Sequence, residues 1–165
     1  MSSPLDSSFS FTDYRPGLIG RVTEAHAVYY HRHWGFDLSF ERQVAGELAE
    51  FFGRFDPARD LFQAALADGL FAGSVALDGG HPEGPRLRWF LVEPAFQGRG
   101  LGWALLARAV DFARRAGHGR LHLWTFAGLD AARRLYQRIG FQLAEEHQAE
   151  QWGGRITEQK FALLL

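Results

Sequence analysis

The chain of 165 residues has no cysteine. That excludes a disulfide framework, a thiolate metal site and an acyl-enzyme on a cysteine nucleophile. Lysine is nearly missing as well: Lys160 is the one lysine among 18 basic residues. With abundant Ala and Gly, this imbalance points to GC-rich codon usage and a bacterial source rather than to chemistry. No stretch approaches the ~18 uninterrupted apolar residues of a membrane span, and Met1 to Ser8 lacks the apolar run of a signal peptide. The expectation is a soluble, cytoplasmic protein without a membrane partner, carrying a flexible leader over residues 1–8. Net charge is also small, −1, which argues against a chain whose main work is neutralising nucleic-acid phosphates. What remains is rich: 47% of residues are hydrophobic and 15% aromatic, so a dense core is expected and disorder is ruled out. The length suits one domain, residues 9–165, burying roughly 70% of the surface of the unfolded chain.

Phe9 to Tyr14 alternates with a period near two, as a half-buried strand does, until Pro16-Gly17 breaks it. Ile19, Val22, Ala25, His26 and Tyr29 then recur at helical steps, and Phe40, Val44, Leu48, Phe51 and Phe52 repeat the pattern. The spacing predicts two consecutive helices, the second capped by Ser39. Leu61 to Leu66 and Leu70 to Leu77 read as strands about an Asp68-Gly69 turn, followed by a Gly/Pro loop over 79–85. From Leu87 the order becomes strand, helix, strand, helix (87–92, 101–116, 121–125, 129–139), which implies a parallel pair with a right-handed crossover. Phe141 to Ala144 and Lys160 to Leu165 are expected to close the sheet around a Trp152-Gly-Gly loop.

The most informative segment is Glu93-Pro-Ala-Phe-Gln-Gly-Arg-Gly-Leu-Gly102, between a buried strand and a helix. Glycines at 98, 100 and 102 let backbone N–H groups converge at the first helical turn, a ready anion site. No Gly-Lys-Ser/Thr follows, and the spacing is not that of a dinucleotide fold. Charge distribution adds to this. Residues 1–94 hold eight basic against thirteen acidic side chains, net −5, and residues 95–165 hold ten against six, net +4. Converging amides amid arginines suit a diphosphate. A bare strand-to-helix turn without a ligand is the alternative reading.

Gln97-Gly-Arg-Gly-Leu-Gly102 resembles the Gln/Arg-x-x-Gly-x-Gly/Ala signature of the GNAT superfamily of acyl-CoA-dependent N-acyltransferases. Val92-Glu-Pro before it and Leu135-Tyr-Gln-Arg-Ile-Gly-Phe141 after it stand in that family's order. Arg15-Pro-Gly-Leu-Ile-Gly-Arg21 and Leu123-Trp-Thr125 are similar to the acetyltransferase half of bacterial fusions with a MarR-type winged helix. No winged helix accompanies them, so no nucleic-acid partner is implied. The resemblance implies an α/β fold: a mixed sheet of six to seven strands flanked by about four helices, with the fourth and fifth strands splayed to admit acetyl-CoA. It implies that Leu91 and Val92 offer backbone groups to the pantetheine arm and thioester. Gln97, Gly98, Arg99, Gly100, Leu101, Gly102 and Trp103 would wrap the pyrophosphate, with Ala132 and Arg138 completing the cofactor site. A backbone bulge near Leu91 to Val92 would polarise the carbonyl.

Acetyl transfer needs a neutral amine, a polarised carbonyl and a proton for the departing thiolate. By its resemblance to the family tyrosine, Tyr136 would supply that proton. Leu129 stands where family members often carry Asn, which removes one expected contact to the pantetheine arm. Glu93 is the candidate base, acting through water; an ordinary exposed strand-end charge is its alternative. A lysine-like amine is neutral about once in 2,500 at pH 7, whereas an α-amine near 7.7 to 8.0 lacks only about 1 kcal/mol. His26, Tyr29, Tyr30, His33 and Trp34 cluster on the first helix and its exit, where the resemblance places the acceptor site. Trp152 is expected to close the opposite side, and Glu145 and Glu146 to be solvated. None of the seven histidines shows metal-ligand spacing with acidic partners, so no metal is expected. The reading is an N-acetyltransferase working by direct transfer from acetyl-CoA to a small-molecule or peptide amine, with a homodimer compatible. The acidic first half suggests a cationic acceptor. The rival readings are a catalytically silent acyl-CoA-binding module and another nucleotide binder.

Overall fold

The computed structural model describes residues 8–165. Apart from Ser8, the expected leader lies outside the described residues. Among these residues, seven strands form one sheet: β1 (Phe9–Thr12), β2 (Leu61–Ala67), β3 (Leu70–Asp78), β4 (Arg86–Val92), β5 (Arg120–Phe126), β6 (Gln142–Gln151) and β7 (Gly154–Leu164). The spatial order is β1-β2-β3-β4-β5-β7-β6, and β4 with β5 is the parallel pair. Four helices cover it: α1 (Leu18–Trp34), α2 (Leu38–Gly53), α3 (Leu101–Arg115) and α4 (Asp130–Ile139). A short 3₁₀ turn, Pro94–Phe96, leads into the glycine loop.

Each face of the sheet has its own apolar layer. On one, Val22, Ala25, Val44, Leu48 and Phe51 of α1 and α2 pack with Phe62, Phe71, Ala76, Trp89 and Leu91. On the other, Leu101, Leu105, Leu106, Ala109, Val110 and Ala113 of α3, one helical stripe, pack with Val75, Leu77, Leu87, Leu121 and Phe161. Each fully buried leucine stabilises by roughly 1.5–3 kcal/mol. Asp37 rather than Ser39 caps α2, its carboxylate accepting from the Ser39 N–H at 2.9 Å. Asp37 has the extended backbone that an N-cap requires, while Ser39 already lies inside the helix.

Two irregularities in the sheet make room for a site. β4 and β5 pair only at Arg86 with His122 and Leu87 with Leu123, then diverge. Across the β3–β4 ladder, Ser74 faces Leu91 and Ala76 faces Arg88, so β4 holds one extra residue there. The bulge lies at Trp89–Phe90, earlier than the expected Leu91 to Val92. Trp89 has φ of 47°, and the Ser74 hydroxyl donates to its carbonyl at 2.8 Å, which holds that turn in place. The final hairpin is far longer than its hydrophobic segments, because β6 is an edge strand with polar side chains along most of its length.

Candidate active site

A cavity of about 1140 Å³ runs from the glycine loop, through the gap between β4 and β5, to the aromatic side chains of α1. At the loop end, Gly98 and Gly100 adopt left-handed backbone, with φ of 76° and 81°, and Gly100 precedes α3. The first helical bond of α3 runs from the Ala104 N–H to the Gly100 carbonyl, 3.1 Å, so the N–H groups ahead of Ala104 have no helical acceptor. The Gln97 side chain donates to the Val92 carbonyl at 3.1 Å and ties the loop to the end of β4. Gly102 could be no larger without strain: a Cβ there would stand 3.0 Å from the Leu135 side chain. Leu91, Val92, Gln97, Gly98, Gly100, Leu101, Gly102, Trp103, Ala132 and Arg138 all line the cavity. Arg99 does not. Its guanidinium lies over Phe9 at 4.7 Å and Phe96 at 5.7 Å and donates to the Ser8 hydroxyl at 2.8 Å.

Tyr136 lies midway, on the inner face of α4. Its ring packs between Phe90 at 5.9 Å and Phe141 and Phe161 at 6.0 Å each. No hydrogen bond of its hydroxyl is seen among the described residues. Burial pushes the phenol well above its ordinary range, so it stays protonated. His26, Tyr29, Tyr30 and Trp34 form the far wall. The His26 Nδ1–H donates to the Val22 carbonyl at 2.8 Å, which leaves the lone pair on Nε2. Burial lowers His26 to about 4 against that backbone bond, so the imidazole is neutral at pH 7. Burial, then the neighbouring Tyr136 and Tyr29, raises Tyr30 likewise.

Besides Arg99, two predicted site residues stand elsewhere. Glu93 and His33 line a separate pocket of about 140 Å³ with Arg21, Glu24 and Arg32. Glu93 accepts from Arg21 at 3.5 Å and is outside the main cavity. It follows the last residue of β4 and precedes the 3₁₀ turn, with its carboxylate turned to Arg21 of α1. His33 is exposed in the last turn of α1, although it follows the stripe of Val22, His26 and Tyr29. Trp152 does close the cavity, its indole N–H donating to Gln43 at 2.9 Å. Glu145 and Glu146 are exposed, as expected, Glu145 standing 3.6 Å from Lys160 and Glu146 accepting from Gln159 at 2.7 Å.

Several lining residues carry no motif. Glu47, Arg86, Arg88, Gln151 and Glu158 bring polarity to the acceptor side. Arg88 bonds Asp78 at 3.2 Å and Glu47, and Arg54 grips Asp78 in a fork at 2.8 and 2.7 Å. Burial alone would raise the Asp78 carboxyl, but the two guanidinium groups hold it below the ordinary carboxylate range. These ion pairs join members of the same acidic first half and leave its net charge of −5 unchanged. His81, Glu83 and His122 bring ligand atoms within 4.8 Å of one another, a convergence that spacing along the chain does not show. The Arg86 guanidinium beside them lowers both imidazoles after burial and opposes a cation there.

Residues 21–141 match the Acetyltransferase (GNAT) family, and the chain belongs to that family. It is 27% identical over 124 residues to an N-acetyltransferase of Methanocaldococcus jannaschii, covering 72% of this chain and 55% of that protein. A segment of 51 residues is 47% identical to the N-alpha-acetyltransferase RimI of Mycobacterium tuberculosis, covering 31% of this chain and 30% of that protein. The chain thus matches about half or less of these curated relatives' lengths. An acetyltransferase of Salmonella typhimurium, solved with its cofactor acetyl-CoA, superposes with a TM-score of 0.75 at 19% identity, covering 96% of this chain and 94% of that one. This likeness establishes the fold. No helix among the described residues is long and apolar enough to cross a membrane.

Proposed function

We propose that this chain transfers the acetyl group of acetyl-CoA to a primary amine of a small molecule or peptide, by direct attack in a ternary complex. The observation that carries this reading is the continuous cavity of about 1140 Å³, with an amide-rich loop at one end, Tyr136 midway and an aromatic wall at the other. That volume exceeds the ordinary range for one drug-sized ligand, roughly 300–1000 Å³, and suits two substrates meeting end to end. The loop fits a pyrophosphate on its own geometry: left-handed glycines, free amides at the start of α3, and Arg134 and Arg138 at its rim.

Bound acetyl-CoA supplies an activated thioester carbonyl. Gln97, Gly98 and Gly100 to Trp103 would hold the pyrophosphate, and Leu91 and Val92 the pantetheine arm along the strand left unpaired by the splay. Tyr136 holds its proton through the physiological range; it would give that proton to the sulfur as the C–S bond breaks and regain one from the nitrogen as the amide forms. With Glu93 turned away, no strong base faces the cavity from the end of β4. An amine of pKa near 7.7 to 8.0 needs only about 1 kcal/mol to lose its proton and manages with water. Amino termini are therefore favoured over lysine side chains, in keeping with the N-alpha-acetyltransferase among the relatives.

Thermal shifts with acetyl-CoA, coenzyme A, ADP and NAD, followed by thiol release against amino acids, polyamines and peptide amino termini, test the reading. The expected result is selective stabilisation by the two pantetheine-bearing ligands and thiol release with α-amines. Equal stabilisation by ADP overturns it in favour of a nucleotide binder. Stabilisation by acetyl-CoA without thiol release for any amine overturns it in favour of a silent acyl-CoA-binding module.

A further inference from the structure

Arg86 opens β4, at the end of the cavity farthest along the strand from the glycine loop. It differs from the other arginines there. Arg88 is bound by Asp78 and Glu47, and Arg138 is exposed and stacked on Trp103 at 4.6 Å. Among the described residues Arg86 has no salt bridge, and its Nε–H is buried without an acceptor. The groups whose charges act on it offer no partner. Glu47 and Asp78 are occupied by Arg88 and Arg54, Glu83 is exposed on the loop, and Arg88 adds repulsion. His122, which is buried, has an unpartnered Nε2 beside it, and burial with the Arg86 charge keeps that ring neutral. Arg86 itself is half-buried, and a guanidinium whose Nε–H is withdrawn from water without an anion is costly. A planar fork of donors facing a substrate cavity matches a carboxylate.

Resting on the acetyl transfer proposed above, the geometry points to Arg86 as the reader of a carboxylate on the acceptor, one extended span from the amine that is acetylated. The span follows from the strand. Leu91, beside the expected site of attack, lies five positions beyond Arg86, with one residue absorbed in the bulge, so roughly 13–16 Å of strand separates them at about 3.3 Å per residue. The Arg86 side chain bridges part of that length. A free α-amino acid, whose amine and carboxylate share one carbon, is too short to occupy both ends. A peptide gains at most about 3.3–3.6 Å per residue, so a carboxylate two to four residues beyond the amino terminus fits. The acceptor class is a short peptide terminus with a nearby acid, either its own C-terminus or an Asp or Glu side chain.

The test compares trialanine and tetraalanine as free acids with the same peptides as C-terminal amides, following thiol release from acetyl-CoA. The wild-type chain is expected to prefer the acids by at least tenfold in kcat/KM. Arg86→Gln should bring the acid-to-amide ratio close to one, and Arg86→Lys should keep part of it, with acetyl-CoA still giving its thermal shift in both variants. A wild-type ratio near one overturns the inference, as does Arg86→Gln slowing acid and amide alike with the ratio unchanged. These outcomes differ from failure of acetyl transfer itself: amides acetylated as fast as acids remove only the role of Arg86. Absence of thiol release with every peptide, when another amine is acetylated, overturns the inference and leaves acetyl transfer standing; absence with every amine overturns both.

Discussion

The Tyr136 ring touches Phe90, Phe141 and Phe161, while its hydroxyl faces the cavity without a protein acceptor. Ring and hydroxyl therefore make separable contributions. Removing a hydroxyl that bonds nothing in the fold leaves no orphaned partner, so Tyr136→Phe should shift stability by less than about 0.5 kcal/mol. The same change should lower kcat by about 10²- to 10³-fold through loss of the proton donor, with acetyl-CoA affinity kept. Thiol-release kinetics beside a thermal melt check this; full turnover in the Phe variant would remove Tyr136 from the chemistry. Glu93 illustrates the opposite case at this scale. Its bond to Arg21 is surface-facing, and exposed pairs of this kind contribute about 0–1 kcal/mol. Glu93→Gln should therefore leave kcat/KM within about twofold, and a loss of a hundredfold or more would restore it as the base.

At the scale of the element, the end of β4 beyond its bulge is packed tightly against a glycine of the neighbouring β3. A Cβ on Gly73 would stand 2.7 Å from the Leu91 carbonyl oxygen and 3.2 Å from a Leu105 methyl. Backbone cannot step aside as a flexible side chain can. Gly73→Ala should destabilise the chain by about 1–3 kcal/mol and weaken acetyl-CoA binding together, because it displaces the strand that lines the arm. Binding titrations and denaturant midpoints measure the two, and unchanged affinity in a folded variant would show that Leu91 does not hold the arm. The local devices were legible in the sequence: the glycine loop, the α3 stripe and the α4 face each follow from residues a few positions apart. Side of approach was not. Glu93 follows the last residue of β4, yet only its contact with Arg21 of α1 shows which pocket it faces. The extent of β6 was hidden because an edge strand with polar side chains shows no alternation to read. Arg86, Arg88 and Glu47 carry no motif, since the sheet and α2 bring them together from separate segments.

Over the whole molecule, charge is sorted by depth more than by chain half. The −5 and +4 halves are real, but Asp78 and Glu47 face arginines of their own half, and among the arginines of the second half only Arg134 and Arg138 line the cavity. Three histidines are instead held neutral. Burial lowers His26 to about 4, and burial followed by Arg86, Lys160 and His81 lowers His122 to about 4; His81 is lowered as well. Above pH 6.5 neither the folded nor the unfolded chain protonates these rings, and their burial carries no acid penalty. As pH falls below 6.5 the unfolded chain binds protons that the folded one refuses, so stability is lost progressively down to about pH 4. A gap of about 2.5 units corresponds to roughly 3 kcal/mol for each of His26 and His122. Together these losses approach the 5–15 kcal/mol that holds an ordinary domain folded. Denaturant midpoints should therefore fall steeply between pH 6.5 and 4, ahead of the carboxylates, and His122→Asn should remove about half of that fall. A flat profile across this window would mean that water reaches both rings in the folded protein.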